Sequence, residues 1–348
     1  MALRPLRKRS TIRDVARSAQ VSHQTVSRVI NGEDCITPRT RARVEQAIAA
    51  LGFRPSHIAR SLVSRSTKTI GLVIGDVASP FFPDVVRGAE DKLSQAGYCV
   101  ILSSSRREPE RELRNVTHLL ERSTDGLILG APQCDPVDLA GLAERTGVPM
   151  VLLNRDVRGR HVDSVWIDWQ SATAEVVAYL AGLGHRRVGL VVPSRDEARY
   201  ANREDWYRPA LRRAGLLPAP SLIFRQSLSI DGGYQAGLEM LARSDRPTAV
   251  ICHSDAMAIG LLQACTERGV AVPRELSVIG WDDVAYARLV TPPLTTVRIP
   301  RYELGQAAAL KLLDLIAGRP SARAAPLPLE LIRRHSASSP VTSKGEVS

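Results

Sequence analysis

From residue 69 onward the chain repeats one pattern, a short run of β-branched and aliphatic residues followed by an amphipathic stretch of helical period. The runs TIGLVIGDV, YCVILSSS, DGLILG and PMVLLN come first, with helices predicted over 82–96 and 108–122. The rhythm returns after residue 170 with a helix over 171–183, VGLVVP, a helix around 204–214, a strand at 221–226, a helix over 231–243, AVICHS, a helix over 256–268 and LSVIGWDD. Strands joined through helices lie parallel, so the pattern predicts two similar halves, each a doubly wound parallel sheet. TTVRIP and PLPLELIRR read as strands flanking a helix over 301–317, which returns the chain after its second half. Two such open sheets facing each other place a ligand cleft at their carboxyl strand ends.

The residues before this body have a different character. Through Lys68 there are 14 Lys and Arg against Asp14, Glu33, Asp34 and Glu45, which accounts for +10 of the formal charge of +11, and the remaining 280 residues are close to neutral. A basic head on a neutral body is the electrostatic footprint of a nucleic-acid-binding module. Thr11 followed by Asp14 is a capping signature, and Ile12, Val15 and Ala16 share a helix face. After Ala19-Gln20-Val21, Ser22 caps a second helix with Val26, Val29 and Ile30 inward and His23, Gln24, Thr25, Ser27 and Arg28 outward. Asn31-Gly32 ends it, and Thr37-Pro38 opens a third helix running through Val44, Ala47, Ile48 and Leu51 to Gly52. Two short helices joined by a tight turn make a helix-turn-helix. On its outer face Gln can pair with adenine, Arg with guanine, and Ser, Thr and the helix N-terminus can hold phosphates; the alternative is an ordinary solvated face.

TIRDVARSAQVSHQTVSRVINGEDCITPRTRARVEQAIAALGFRPSHIARSL resembles the head of the lactose/galactose repressor (LacI/GalR) family nearly position for position. The body landmarks SPFF, DGLIL, GHRRVGLV, RPTAVICHSDAMAIGLL, VPRELSVIGWDD and TPPLTTVRIP extend the resemblance over nearly the whole chain. It implies an all-α helix-turn-helix head joined to an α/β effector domain like the periplasmic sugar-binding proteins. It further implies a homodimeric transcriptional regulator, a repressor, whose grip on operator double-stranded DNA is controlled by a sugar or related metabolite. In the head, the resemblance assigns base reading to His23, Gln24 and Arg28 and backbone positioning to Thr11, Ser22, Thr25 and Asn31. The segment Ser56-His57-Ile58-Ala59-Arg60-Ser61-Leu62 is too short to hold a helix alone. By resemblance it is a hinge helix that orders on DNA, with Leu62 wedged into a minor-groove step beside Ala59 and Arg60; for Leu62, interdomain packing is the alternative. The expected boundaries are 1–55 for the head, 56–69 for hinge and linker, and 70–348 for the effector-binding and dimerisation body. That body comprises one subdomain over about 70–168 plus a return strand and another over about 169–290 plus a C-terminal strand.

Sugars and similar metabolites are held by aromatic faces and by charged groups that pair with hydroxyls. Phe81, Phe82, Arg155, Arg203, Trp281 and Asp282 fall at strand ends or nearby loops where that chemistry is available. The resemblance makes Phe81 a stacking position, Arg203 a cleft arginine and Asp282 the acid after the last main strand. Phe82 also suits the core, and Arg155 a surface pair with Asp156. The chain departs from the family pattern at Gln20, where Gly is usual, at Trp169, at Trp206 and at His253-Ser254, so its pocket is expected to be unusually aromatic or narrowed.

Other classes lose support. The five cysteines are scattered and odd in number, without metal-ligand spacing, and no metal or cofactor is expected. No nucleophile elbow, phosphate loop, dinucleotide fingerprint or zinc-protease motif occurs, so no catalytic residue is expected. His185 reads as a helix cap or satisfied histidine. No apolar run approaches the roughly 20 residues needed to span a bilayer. MALRPLRKRS leads into a polar stretch rather than an apolar leader, which points to the cytoplasm.

Overall fold

The computed structural model describes residues 10–30, 32–53, 66–194, 204–216, 219–319 and 325–341. The chain divides into two units, Met1–Thr67 and Lys68–Ser348.

In the first unit, helix α1 (Ile12–Ser18) opens with a reciprocal cap: the Thr11 hydroxyl accepts from the Asp14 amide, and the Asp14 carboxylate accepts from the Thr11 amide. Helix α2 (His23–Ile30) begins where Ser22 Oγ accepts from the Thr25 amide at 3.1 Å. Helix α3 (Pro38–Leu51) starts at capping Thr37 and ends at Gly52, whose φ of 57° is the left-handed stop that glycine supplies. The three pack around Val15, Val26 and Val44, with Ala16, Ala19, Val29 and Ala47 closing a small core. Leu51 is exposed in the last turn of α3.

The second unit contains the two parallel sheets the alternation predicts. The first has the order β2-β1-β3-β4-β5, from β1 (Thr69–Ile74), β2 (Cys99–Ser104), β3 (Gly126–Gly130), β4 (Met150–Leu153) and β5 (Val162–Val165). The second, β7-β6-β8-β9, is built from β6 (Val188–Pro193), β7 (Ile223–Gln226), β8 (Ala249–Cys252) and β9 (Ser277–Ile279). Helices α4 (Phe82–Gln95), α5 (Pro109–Glu121), α7 (Trp169–Gly182), α8 (Glu204–Arg213), α9 (Ile230–Leu241) and α10 (Asp255–Glu267) fall within a few residues of their predicted spans. Strand β5 and the intervening helix α6 (Pro136–Thr146) are additions to the sequence reading. Helix α6 starts where Asp135 Oδ1 accepts from the Val137 amide.

After β9 the chain crosses back. Strands β10 (Thr296–Arg298) and β11 (Glu330–Ile332) pair antiparallel, and helix α11 (Arg301–Ile316) between them packs on α4 and on the first sheet. The chain then rejoins the second sheet, where the Val278 amide donates to the Ser336 carbonyl at 2.7 Å. Glycine permits the close helix crossings: a Cβ at Gly88 would overlap the Tyr302 carbonyl, and one at Gly260 the Ile230 carbonyl. Among the described residues no helix is long and apolar enough to cross a membrane.

Candidate DNA-reading helix and ligand cleft

Both candidate sites grow from element ends. In the first unit, Val26 and Val29 fasten α2 to the core, which leaves His23, Gln24 and Arg28 exposed along its outer face. Thr11 and Ser22 stand at the N-termini of α1 and α2, and Thr25 is bonded to Ser22 Oγ through its own hydroxyl at 2.9 Å. Arg28 is half exposed, with its Nε 3.7 Å from the Glu33 carboxylate that follows the helix. Gln20 occupies the turn with φ 50°, the left-handed conformation that glycine adopts without strain. The Arg43 guanidinium of α3 donates to the Ala19 and Gln20 carbonyls at 2.6 and 3.1 Å, which fastens that turn. Asn31, Ala59, Arg60 and Leu62 lie outside the described residues.

In the second unit a cleft of about 880 Å³ lies at the carboxyl ends of both sheets. From the first sheet come the loops after β1, β2, β3, β4 and β5; from the second come those after β6, β7, β8 and β9. Phe81 and Phe82 line the cleft in an edge-to-face pair with ring centroids 5.2 Å apart, and Phe82 also packs into the core. Arg155 lines it too, but its guanidinium is buried and donates to the Asn154 and Pro132 carbonyls at 2.7 and 2.6 Å, so the alternative of a surface pair with Asp156 does not hold. Asp282 reaches the cleft from a turn in which both it and Asp283 have positive φ. That strained turn is clamped: Arg301 donates to the Asp282 carbonyl, the Asp255 carboxylate accepts from the Val284 amide at 2.8 Å, and Arg298 holds the Asp283 carboxylate at 2.8 Å.

Trp281 is a correction. It is fully buried in the core and lies outside the cleft lining, because the turn after β9 packs it inward while the next residue, Asp282, with positive φ, faces the opening. There it supports Trp169, at 5.6 Å between ring centroids, and Trp169 stacks nearly parallel to Trp206 at 6.1 Å. The departures at Trp169 and Trp206 thus form one aromatic wall, completed by Trp166. Arg203 lies outside the described residues. Just beyond it, Glu204 is clamped by Arg208 and Arg225; burial alone would raise its carboxyl, and these two guanidiniums reverse the shift and hold it low.

The sequence reading did not assign Arg107, Gln133 or Asn154 to the cleft, and His253, which it named only as a departure from the family pattern, lines the cleft as well. Their signal is positional, since Asn154 and His253 directly follow β4 and β8, and Gln133 follows β3 closely. The buried Glu112 carboxylate sets Gln133 in place by accepting from the Gln133 and Cys134 amides at 3.0 and 2.9 Å. Deeper still, burial and the neighbouring Asp282 carboxylate push the Asp255 carboxyl well above the usual range. His185 is satisfied between Thr248 Oγ1 and the Ser338 carbonyl, both at 2.9 Å, and burial lowers its basicity. Among the described residues no His, Cys, Asp and Glu group could hold a metal ion.

Comparison with known proteins adds to this geometry. Residues 11–56 match the family described as bacterial regulatory proteins, lacI family, and residues 177–337 match a periplasmic binding protein-like domain. The HTH-type transcriptional repressor CytR of Escherichia coli (strain K12) is 34% identical over 310 residues, 89% of this chain and 91% of the relative. A lac repressor dimer bound to operator and the anti-inducer ONPF superposes with a TM-score of 0.85 at 30% identity, over 95% of this chain and 100% of that one. A LacI family transcriptional regulator from Enterococcus faecium with bound ribose gives a TM-score of 0.70 at 28% identity, over 78% of this chain and 99% of that one.

Proposed function

This chain belongs to the lacI family of bacterial regulatory proteins, and from that premise we propose that it is a homodimeric transcriptional repressor whose operator affinity is set by a small metabolite in the cleft. The observation that carries this reading is the exposed row His23, Gln24 and Arg28 on a helix anchored by Val26 and Val29, in a head that carries nearly all of the net positive charge. Residues 1–55 read DNA, 56–69 serve as the hinge, and 70–348 sense the ligand. The chain acts in the cytoplasm by binding rather than by turnover.

Two heads related by the dimer axis bind two half-sites of a roughly palindromic operator. Ligand binding between the lobes favours one lobe arrangement over another and shifts operator affinity by the difference in its affinity for the two states, typically five- to 150-fold. Phe81, Phe82, Asp282 and the Trp169–Trp206 wall are the contacts that support ligand binding, with Arg155 holding the loops that carry them.

The test is footprinting on upstream DNA, with and without candidate sugars. Arg28→Ala is expected to weaken specific binding by about 1–3 kcal/mol beyond the smaller loss of non-specific binding that any removed positive charge causes. Specific binding undiminished by Arg28→Ala would remove the base-reading role.

A further inference from the structure

The near-neutral charge of the body is unevenly placed. Helices joining parallel strands run back against them, so the last turns of α7, α8, α9 and α10 and the connections into β6, β7, β8 and β9 gather at one end of the second sheet, opposite the cleft. That end carries eight arginines against Glu239, Asp245, Glu267 and Glu275, although residues 69–348 hold only +1 of the +11. The rest of the body is therefore net negative. Leu217 and Pro218, which lie outside the described residues, add no charge to these connections, and beyond residue 341 Lys344 and Glu346 cancel.

Every acid at this end is already engaged. Asp245 is held by Arg187 and Arg243 at 3.3 and 3.0 Å, and Glu275 by Arg246 at 3.5 Å and the Ala271 amide at 2.9 Å. Glu267 accepts from the Tyr234 hydroxyl at 2.6 Å, and Glu239 from the Gln226 side-chain amide at 3.5 Å. Arg186, Arg212, Arg213, Arg268 and Arg274 are left exposed, with no ion pair to a described carboxylate. A helix C-terminus favours a nearby cation, which accounts for Arg186, whose guanidinium donates to the Ala181 carbonyl of α7 at 3.3 Å. It does not account for two arginines side by side on α8, nor for Arg274, which stands outside any helix. The five span both helix layers, since α7 and α8 pack on Leu190 and Val192 of β6 while α9 and α10 pack on Val191.

We propose that this end of the second sheet binds the phosphate backbone of duplex DNA without reading its sequence, as a contact separate from the helix-turn-helix head. Protein interfaces and membrane surfaces draw on apolar anchors, and none of the exposed large apolar residues among the described ones lies in these turns and connections. A phosphate backbone needs only spaced cations. That the polyanion is DNA rests on the reading of the chain as a repressor, which keeps it at a duplex.

Arginine footprinting of the full chain with p-hydroxyphenylglyoxal, titrated with a random-sequence duplex and resolved by mass spectrometry, reads the two contacts apart: Arg28 reports the head, and the five arginines report the body. We expect duplex to shield the five at about 50 mM salt, with the midpoint rising roughly a hundredfold by about 200 mM. Combining Arg212→Gln, Arg213→Gln, Arg268→Gln and Arg274→Gln should raise the midpoint read at Arg186 by about tenfold or more, while the midpoint read at Arg28 and the urea unfolding midpoint stay unchanged. Unshielded body arginines in the unaltered chain overturn the proposal. Equal shielding by polyglutamate or by phosphatidylglycerol vesicles at matched charge also overturns it, since the surface would then face an acidic protein or a membrane. Shielding of the body in a chain with no sequence preference upholds this contact and overturns the operator reading; sequence preference with an unshielded body does the reverse.

Discussion

Gln20 and Arg43 form a local compensation in the head. A non-glycine residue at φ 50° is strained, and the Arg43 guanidinium offsets this by holding the two carbonyls of the turn. Gln20→Gly is expected to stabilise the head by up to about 1 kcal/mol, and Arg43→Ala to destabilise it by about 1–2 kcal/mol. Amide hydrogen exchange across α1 and α2 in the full chain measures both, and slower exchange in Arg43→Ala would refute the account. Glu33 lies beside Arg28 on the surface that would meet DNA, so it draws on the same guanidinium. Glu33→Gln should tighten binding to any duplex by roughly three- to tenfold at low salt, with the gain shrinking as salt rises. Gln20 was legible in the sequence as a departure from glycine, but Arg43, 23 residues further on, was not.

At the scale of elements, glycines govern how closely the body's helices cross. Gly88 and Gly305 bring α4 and α11 into backbone contact, and Gly233 and Gly260 do the same for α9 and α10. In each case the obstacle to a Cβ is a main-chain carbonyl, which cannot rotate away. Gly88→Ala and Gly260→Ala should each cost about 3 kcal/mol or more, seen as a lower urea midpoint at unchanged slope; the exposed Gly182→Ala, where a Cβ meets nothing within 4 Å, is the control expected to be neutral or stabilising. The sequence marked these helices almost to the residue because each carries an apolar face of helical period. It did not mark α6, although Asp135 caps it and Leu139 and Ala143 give 136–146 a buried face, nor β5, only four residues long and carrying Asp163 and Ser164 inside the protein.

For the molecule as a whole, buried carboxyls give the body opposing responses to pH. Asp255 has a raised value in the fold, so its contribution is fully present below the ordinary aspartate value of 3.8 and is lost as the pH rises through the raised value. Burial favours the neutral form of Asp283 as well, but Arg334 and Arg298 overcome this and hold its carboxyl low; its contribution is present above the ordinary range and is lost on acidification. Asp255→Asn should therefore flatten the decline in thermal stability above about pH 4 and leave the acid limb intact. An unchanged profile above pH 4 would show that Asp255 is ionised freely in the fold. Taken alone, the sequence determined the basic helix-turn-helix head, the two parallel sheets and the return of the chain, since caps, charge and apolar period act over a few neighbouring residues. Tertiary structure alone decided the cleft's inner surface: that Trp281 backs the wall while Asp282 faces the ligand space, that Arg155 holds carbonyls, and that Gln133 and Asn154 offer unmatched acceptors. Those outcomes depend on contacts between residues far apart in the chain, and local periodicity carries no information about them.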